Sequence, residues 1–406
     1  MKSGQTINSP TILGVILLFA ALFLPSVAIS ANFPSIHWVD IFLPLIVLLC
    51  YLNWSKIQFS KYHLLPFAMA CYVGLTILVQ AHSTSISDYF EIYKWLKFGL
   101  LLLFLGLIDF SQLQKYLPYL FLLLVVINLL HFYNFPGINQ LLEEQYNGGL
   151  QIQFFGKNSL GEPAVKRMVG TMGNPNINAL LFTFFSIIFL PIRFNMKQFG
   201  LFLMALTMVF LCQSRTSIVV ILVLLIYLAI FHLQLWTRRQ WLTIIGGLAL
   251  TYLLALMLAT SFFQYSAYSS SLLDGTALYS GSVRGRFETW ALLGQQILEY
   301  PIFGHGPYKQ YFYANRLYAE NEYILMAWRY GLIGLLLYIL LYLFPFVEMV
   351  RSKNSNFIPF VLVILLMLTS ALTNNPFTER NIELLFCLAL AWAFKSIQAA
   401  HAKKGE

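Results

Sequence analysis

The sequence predicts an all-α polytopic membrane protein with about twelve transmembrane helices and a large outward loop that contains amphipathic helices. Of its 406 residues, 59% are hydrophobic and only 10% are charged, whereas soluble globular chains carry about 25% charged residues. Apolar runs of about 20 residues recur along the chain, and this is the length that crosses a bilayer as a helix. Such runs must be helical, because lipid offers the backbone no hydrogen-bond partners.

We predict twelve apolar spans and no linker that would separate a second domain, so residues 1–406 are expected to form one integral membrane domain. In chain order the spans are Thr11–Ala31, Trp38–Leu52, Leu64–Ala81, Trp95–Leu107, Leu117–Phe132, Asn178–Ile192, Gly200–Leu211, Thr216–Leu235, Leu242–Phe262, Tyr323–Phe346, Phe357–Leu372 and Ile382–Phe394.

Charge predicts the orientation of these spans. An even number of spans places both termini on one face, which then carries thirteen basic and three acidic residues. The other face carries the remaining twelve basic and thirteen acidic residues, and together they give the net charge of +9. Because basic residues concentrate in cytoplasmic loops, both termini are expected in the cytoplasm. The same distribution explains the net charge without nucleic acid as a partner.

Two long loops are therefore expected on the outward face, at residues 133–177 and 264–321. The first contains several glycines, among them Gly148, Gly149, Gly156 and Gly161. The second is predicted to begin with a flexible polar entry, followed by an amphipathic helix that Pro301 ends. The apolar face of this helix comprises Phe287, Trp290, Ala291, Gly294 and Leu298, and Trp290 suits a membrane interface.

Five arginines stand in or beside these loops: Arg167, Arg215, Arg284, Arg286 and Arg329. Any one of them could simply anchor a lipid headgroup. Arg215 lies in a very short connection between two apolar spans, where an arginine is costly unless it faces the protein interior. Several guanidinium groups near a membrane surface suit a phosphate or diphosphate, since the planar fork binds its oxygens in pairs.

Glu320 is the candidate general base, because it stands where the second loop re-enters the membrane. It could equally be a helix-start residue that the helix dipole favours. Glu322 is interpreted as a helix-start residue or as an ion-pair partner of Arg329, which lies two turns along the same helix face. His305 is interpreted as a turn residue near the site. No cluster of His, Cys and carboxylates has metal-ligand spacing, so no metal or cofactor is predicted.

Seven short motifs together resemble the superfamily of O-antigen ligases and O-antigen polymerases, which are bacterial membrane glycosyltransferases. The motifs are Arg167-x-x-Gly170, Gly173-Asn174-Pro175-Asn176, Ser214-Arg215, Arg286-x-x-x-Trp290, Pro301-x-x-Gly304-x-Gly306, Glu320-Asn321-x-Tyr323 and Gly331-Leu332-Ile333-Gly334. Each motif is weak alone, and their order and spacing make the resemblance fairly specific.

The resemblance implies an inner-membrane enzyme whose active site faces the periplasm and which needs neither a metal nor a nucleotide sugar. Its donor and acceptor would be oligosaccharides linked to undecaprenyl diphosphate, and its partners would be membrane lipids and a chain-length regulator. The resemblance implies a catalytic role for Glu320, Arg215 and Arg286. Residues expected to bind the diphosphate or the glycan are Arg167, Asn176, Arg284, Trp290, His305, Asn321, Tyr323 and Arg329.

One departure from the resemblance decides between two activities. Ligases of the superfamily have His-Asn where this chain has Glu320-Asn321, so the expected activity is that of a polymerase, which moves a growing glycan onto a lipid-linked repeat unit. The alternatives are a ligase that transfers glycan to lipid A core and, from another class, a transporter or flippase of lipid-linked oligosaccharides. Transporters tend to have paired interrupted helices in two related halves, and no such repeat is visible.

Overall fold

A computed structural model of the protein describes residues 8–27, 35–80, 82, 84–146, 167–232, 234, 236–262, 281–315, 317–352 and 355–405. Two sequence expectations lie outside the described residues. One is the polar entry to the second loop, up to residue 280. The other is the set of first-loop glycines at positions 148, 149, 156 and 161.

The described residues fold into α-helices joined by turns and short 3-10 helices, with a single isolated β-bridge between Val27 and Ile36. In chain order the α-helices are α1 Ser9–Phe23, α2 Trp38–Leu52, α3 Leu64–Val79, α4 Ile86–Gly106, α5 Phe110–Phe132, α6 Ile138–Gln145, α7 Pro175–Ile188, α8 Met196–Cys212, α9 Arg215–Phe231, α10 Arg238–Phe262, α11 Gly281–Ile297, α12 Lys309–Ala314, α13 Glu322–Ser352, α14 Ile358–Ser370 and α15 Arg380–Gly405.

The all-helical class is confirmed for the described residues, and each predicted span overlaps one helix, although α1 ends at Phe23, before the predicted end at Ala31. The three helices outside those spans, α6, α11 and α12, lie in the two regions predicted as long loops. Within the part of the chain that the structure describes, five segments are long and apolar enough to cross a membrane: Lys61–Val79, Phe110–Phe132, Arg238–Met257, Glu322–Arg351 and Asn381–Ala399. The number of twelve crossings stays a prediction.

Helix α4 begins earlier than the sequence predicted, at Ile86 instead of Trp95. The reason is a capping box, in which the backbone N–H and the hydroxyl of Ser85 each lie 2.9 Å from a carboxylate oxygen of Asp88. Such a box satisfies backbone donors that the first turn leaves free. As a result, the charged residues between Asp88 and Lys97 are held on a rigid helix.

Helix α4 is central to the bundle, since it packs against α2, α3 and α15. Its Trp95 is buried and stacks on Phe377, in the connection before α15, with ring centroids 4.6 Å apart. A second, smaller apolar cluster joins α11, α12 and the start of α13 through Leu293, Phe312 and Trp328. This second cluster carries the loop elements that contain the predicted site.

The apolar stripe predicted on α11 differs from the face that packs. Leu293 is fully buried, whereas Phe287 and Leu298 are 59% and 78% exposed. Helix α11 therefore joins the bundle through Leu293, while Phe287 and Leu298 of the predicted stripe are exposed and its Trp290 is half-buried.

Candidate functional site

Helix α13 is interrupted at Gly331, whose φ of 62° and ψ of −169° are not helical. This backbone region is essentially restricted to glycine. At the interruption the Leu332 N–H donates to the Pro301 carbonyl at 2.8 Å, and the His305 N–H donates to the Trp328 carbonyl at 3.0 Å. The turn that follows α11 is thus hydrogen-bonded to the break in α13.

Glycines in this turn and at the break in α13 allow the backbone of the turn to contact the backbone of α13. A Cβ on Gly331 would lie 2.1 Å from the Ile302 carbonyl oxygen, and a Cβ on Gly304 would lie 2.5 Å from the Arg329 carbonyl oxygen. The Tyr72 hydroxyl, on α3, lies within hydrogen-bond distance of the carbonyl of Ile302, at 3.1 Å. The motifs around Gly304 and Gly331 therefore form one packing unit.

His305 is buried inside this unit. Its ring stacks on Trp328 with centroids 4.4 Å apart, and its Nε2 lies 3.1 Å from the Gln296 carbonyl oxygen. The Trp328 indole N–H donates to the Gln296 side chain at 2.8 Å. Burial lowers the pKa of the His305 imidazole below its usual value, which favours the neutral ring. His305 thus ties α11 to α13, and its expected contact with glycan stays a prediction.

Arg286 and Glu320 are brought into direct contact across 34 positions of sequence, with the Arg286 Nε donating to a Glu320 carboxylate oxygen. Their side chains are 21% and 42% exposed, so the pair is partly accessible to solvent. The Trp290 indole N–H donates to the Ala319 carbonyl and fixes the chain just before Glu320. Glu320 itself has a left-handed backbone, with a φ of 42°.

Arg167 lies elsewhere, on the side where α7 begins. It is 3% exposed, and its guanidinium donates to the Cys212 carbonyl at 3.0 Å and to the Asn176 side chain at 2.9 Å. Asn174 caps α7 in the same turn. Two of the predicted site residues, Arg167 and Asn176, therefore contact each other and hold α7 against the end of α8.

Arg215 is the first residue of α9, directly after the N-cap Ser214. The neighbouring Thr216 hydroxyl lies 2.7 Å from that of Thr373. The adjacent Leu372 carbonyl accepts a hydrogen bond of 3.1 Å from the Asn321 side chain. The turn after α14 thus lies between the start of α9 and the start of α13, which places Arg215 and Glu320 on two sides of one turn.

The remaining predicted site residues hold helices or lie at the surface. The Tyr323 hydroxyl donates to the Leu368 carbonyl at 2.7 Å and joins α13 to α14. Arg284 pairs with Glu288 one turn along α11 at 2.9 Å, and these two side chains are 81% and 64% exposed.

A cavity of about 750 Å³ is lined by Ala319 and Arg329 among other residues, and we call it the Glu91 cavity. Glu91, on α4, is buried in its wall, where the Lys309 ammonium lies 2.7 Å and the Arg329 guanidinium 3.9 Å from one carboxylate oxygen. The Tyr330 hydroxyl donates to the other oxygen at 3.2 Å. This ion-pair network joins α4, α12 and α13.

The walls of the Glu91 cavity carry equal numbers of basic and acidic side chains. The basic residues are Lys94, Lys97, Lys309 and Arg329. The acidic residues are Asp40, Glu91, Glu379 and Glu383. Lys97 lies 3.2 Å from Asp40, so α2 also contributes to the wall.

The predicted partner of Arg329 was wrong. Glu322 is fully buried and accepts a hydrogen bond of 2.9 Å from the Phe377 backbone N–H, while Arg329 is closest to Glu91. Helical spacing places Glu322 and Arg329 on one face but says nothing of a third helix. Sequence reasoning also missed Glu91 and Lys309. A signal was available in α4, where Asp88, Glu91, Lys94 and Lys97 recur every three residues.

The fold and this site define an all-helical membrane protein in which charged residues from several helices meet around an interrupted helix. Residues 199–339, from α8 into α13, match the family model described as O-Antigen ligase. The match covers about a third of the chain, supports the likeness to O-antigen ligases and polymerases, and does not distinguish the two activities. No curated protein matches the chain.

The match supports an O-antigen ligase-type function in surface polysaccharide assembly. The matched region includes Arg215, Arg286, Glu320 and Arg329. Glu91, on α4, lies outside it.

Proposed function

We propose that the protein is an O-antigen or related surface-polysaccharide polymerase. It transfers a growing glycan from undecaprenyl diphosphate to a hydroxyl of a lipid-linked repeat unit. The observation that carries this proposal is the contact between Arg286 and Glu320. It brings together a carboxylate that can accept a proton and a cation that can stabilise a leaving diphosphate. The resemblance to the superfamily supports the same choice, since ligases have His-Asn where this chain has Glu320-Asn321.

In the proposed reaction the oxygen of the acceptor hydroxyl attacks the anomeric carbon of the donor sugar. The bond from that carbon to the diphosphate oxygen breaks, and undecaprenyl diphosphate leaves with the electron pair. The carboxylate of Glu320 takes the proton of the attacking hydroxyl. Fixed guanidinium groups stabilise the negative charge that develops on the leaving group.

Arg286 and Arg215 are the residues that we assign to the diphosphate. Arg286 uses its Nε toward Glu320, and a guanidinium has four further N–H donors with which it can bind phosphate oxygens. Arg215 begins α9, where the helix dipole adds to the positive charge of its side chain. Arg167 is already bonded to Cys212 and Asn176, so we assign it to supporting the site.

We place this site on the periplasmic side of the bacterial inner membrane, with both termini in the cytoplasm. The charge distribution supports this orientation, because the face that would carry the termini has the excess of basic residues. In this arrangement lipid-linked donor and acceptor both approach from within the membrane. A chain-length regulator would act on the same face.

The ligase remains the second candidate, since the matching family model is described as O-Antigen ligase. A transporter would move lipid-linked glycan without forming a glycosidic bond. One assay separates the three activities. Purified protein is incubated with the host's own undecaprenyl-diphosphate-linked repeat unit, isolated from a strain that lacks this gene, and the products are resolved by glycan length.

A ladder of repeats is the expected result, and a transporter or a pure ligase cannot produce it. If no ladder forms but glycan moves to added lipid A core, the polymerase assignment is wrong and the ligase is correct. A reaction without protein and a reaction with Arg286→Lys serve as controls, because both should leave the repeat unit at its starting length.

A further inference from the structure

The Glu91 cavity adjoins the proposed transfer site but has different walls. Ala319 lines the cavity, and the next residue, Glu320, contacts Arg286. Neither Arg286 nor Arg215 is among the residues that line it. Its volume of about 750 Å³ is within the range of roughly 300–1,000 Å³ that is usual for ligand-binding sites.

The charges of the cavity argue against a phosphate ligand. Four basic and four acidic side chains line it, so it has no net positive charge to offer an anion. Two of the cations are already paired, Lys97 with Asp40 and Lys309 with Glu91. Walls of this kind suit a ligand that is neutral and rich in polar groups, because such a ligand exchanges hydrogen bonds with both signs of charge.

Two buried polar atoms in the cavity wall indicate which hydrogen-bonding groups a ligand would supply. The Nε of Arg329 and the Oδ1 of Asn375 are both buried and have no hydrogen-bond partner among the described residues, and both residues line the cavity. One is a donor and the other an acceptor. Buried polar atoms of native proteins are normally satisfied, and a hydroxyl can accept from the first kind and donate to the second.

The rim of the cavity adds aromatic surface. Tyr313 and Tyr318 line it and are 73% and 76% exposed. A tyrosine ring offers an apolar face with a polar tip. Such a surface matches a sugar ring, which has C–H groups on its faces and hydroxyls at its edge.

We infer that the Glu91 cavity is a glycan-binding subsite that holds sugar rings of the repeat unit through their hydroxyls. Arg329 and Asn375 contact these hydroxyls, and Tyr318 packs against a ring at the entrance. Because Ala319 lines the cavity, a sugar bound there lies next to Glu320 and to the bond that is formed. The inference rests on the proposed function, and it adds the α4 side of the molecule to the substrate-binding surface.

The test uses the repeat-unit oligosaccharide without its lipid diphosphate. The lipid-linked intermediate from the strain that lacks the gene is cleaved by mild acid, and binding of the free oligosaccharide to the purified full-length protein is measured by calorimetry. Inorganic pyrophosphate is titrated as a second probe. The variants are Asn375→Ala and Tyr318→Ala, with the exposed Tyr89→Ala on α4 as the matched control.

The wild type should bind the oligosaccharide, and each variant should bind it about tenfold more weakly, as expected for one lost contact. Pyrophosphate binding should not change in either variant, and Tyr89→Ala should match the wild type for both probes. Because Tyr318 is exposed, its variant tests the inference even if Asn375→Ala does not fold. Unchanged oligosaccharide binding in the folded Tyr318→Ala variant overturns the inference, as does a wild type that does not bind the oligosaccharide.

This design separates the two proposals. If Arg286→Lys left pyrophosphate binding and transfer unchanged while Tyr318→Ala weakened oligosaccharide binding, the diphosphate assignment would fail and the glycan subsite would stand.

Discussion

The interruption of α13 leads to a prediction that the geometry makes quantitative. Replacing Gly331 with Ala adds one methyl group at a residue with a φ of 62° and a ψ of −169°. That methyl would lie 2.1 Å from the Ile302 carbonyl oxygen and 2.7 Å from the Phe303 nitrogen. Both are backbone atoms, so no side chain can rotate away to make room.

Two costs add at this position. Holding a non-glycine residue in this backbone region costs about 1–3 kcal/mol. Moving the turn away from the new methyl breaks the Leu332–Pro301 hydrogen bond, which contributes about 1 kcal/mol. We therefore expect Gly331→Ala to lower the free energy of unfolding by about 2–4 kcal/mol. Transfer activity should fall as well, because the turn connects α11, which carries Arg286, to α13.

The assay compares thermal unfolding of detergent-purified Gly331→Ala with that of Gly246→Ala. Gly246 lies within α10, and a Cβ added there meets nothing within 4 Å. Alanine in a helix interior is favoured over glycine by about 0.5–1 kcal/mol, so this control should be as stable as the wild type or more stable. If Gly331→Ala unfolded at the same temperature as the wild type, the close contact between the turn and α13 would be wrong.

Three further variants test the site. Arg286→Lys should reduce transfer at least about 100-fold, because lysine lacks the planar fork that we propose stabilises the leaving group. The control Arg193→Lys, at an exposed residue, should be fully active. A normal glycan ladder from Arg286→Lys would contradict the assignment of Arg286 to the diphosphate. Glu320→Gln should reduce transfer about 10²–10⁴-fold and leave binding of undecaprenyl diphosphate intact, and full activity would restrict Glu320 to a structural role. Glu91→Gln leaves the partly buried ammonium of Lys309 without its counter-charge, so the protein should lose about 3 kcal/mol of stability. Adding Lys309→Met should recover part of this loss in thermal unfolding, and a double variant less stable than the single one would contradict the buried ion pair.

The helical fold could be predicted from the sequence because the signal is local. A long apolar run has to satisfy its own backbone hydrogen bonds in lipid, and a helix lies within each of the twelve predicted runs. The first and last residues of the helices were harder to predict from the sequence. Helix α4 begins nine residues before Trp95 since Ser85 and Asp88 form a cap, and polar residues of this kind resemble a loop when only hydropathy is considered.

The candidate site was only partly predictable. The contact between Arg286 and Glu320 joins two residues that were both singled out, although nothing in the sequence showed that they touch. Three segments far apart in sequence meet at Glu91, on α4, which binds Lys309 of α12 and Tyr330 of α13. Such contacts depend on how helices are arranged in space. Periodicity within one helix therefore suggested Glu322 as the partner of Arg329 and could not suggest Glu91.

The backbone of Glu320 shows how the fold holds this carboxylate beside Arg286. A non-glycine residue at a φ of 42° is strained, by about 1–3 kcal/mol, and such residues persist where their surroundings over-determine them. Here the chain is fixed on both sides, by Trp290 bonded to the Ala319 carbonyl and by Asn321 bonded to the Leu372 carbonyl. The backbone of Glu320 is therefore held by its two neighbours, and Arg286 contacts its carboxylate. In the proposed reaction the Arg286 Nε stays on Glu320 while the other N–H groups of the guanidinium bind the diphosphate, and the second carboxylate oxygen of Glu320 accepts the proton of the incoming hydroxyl.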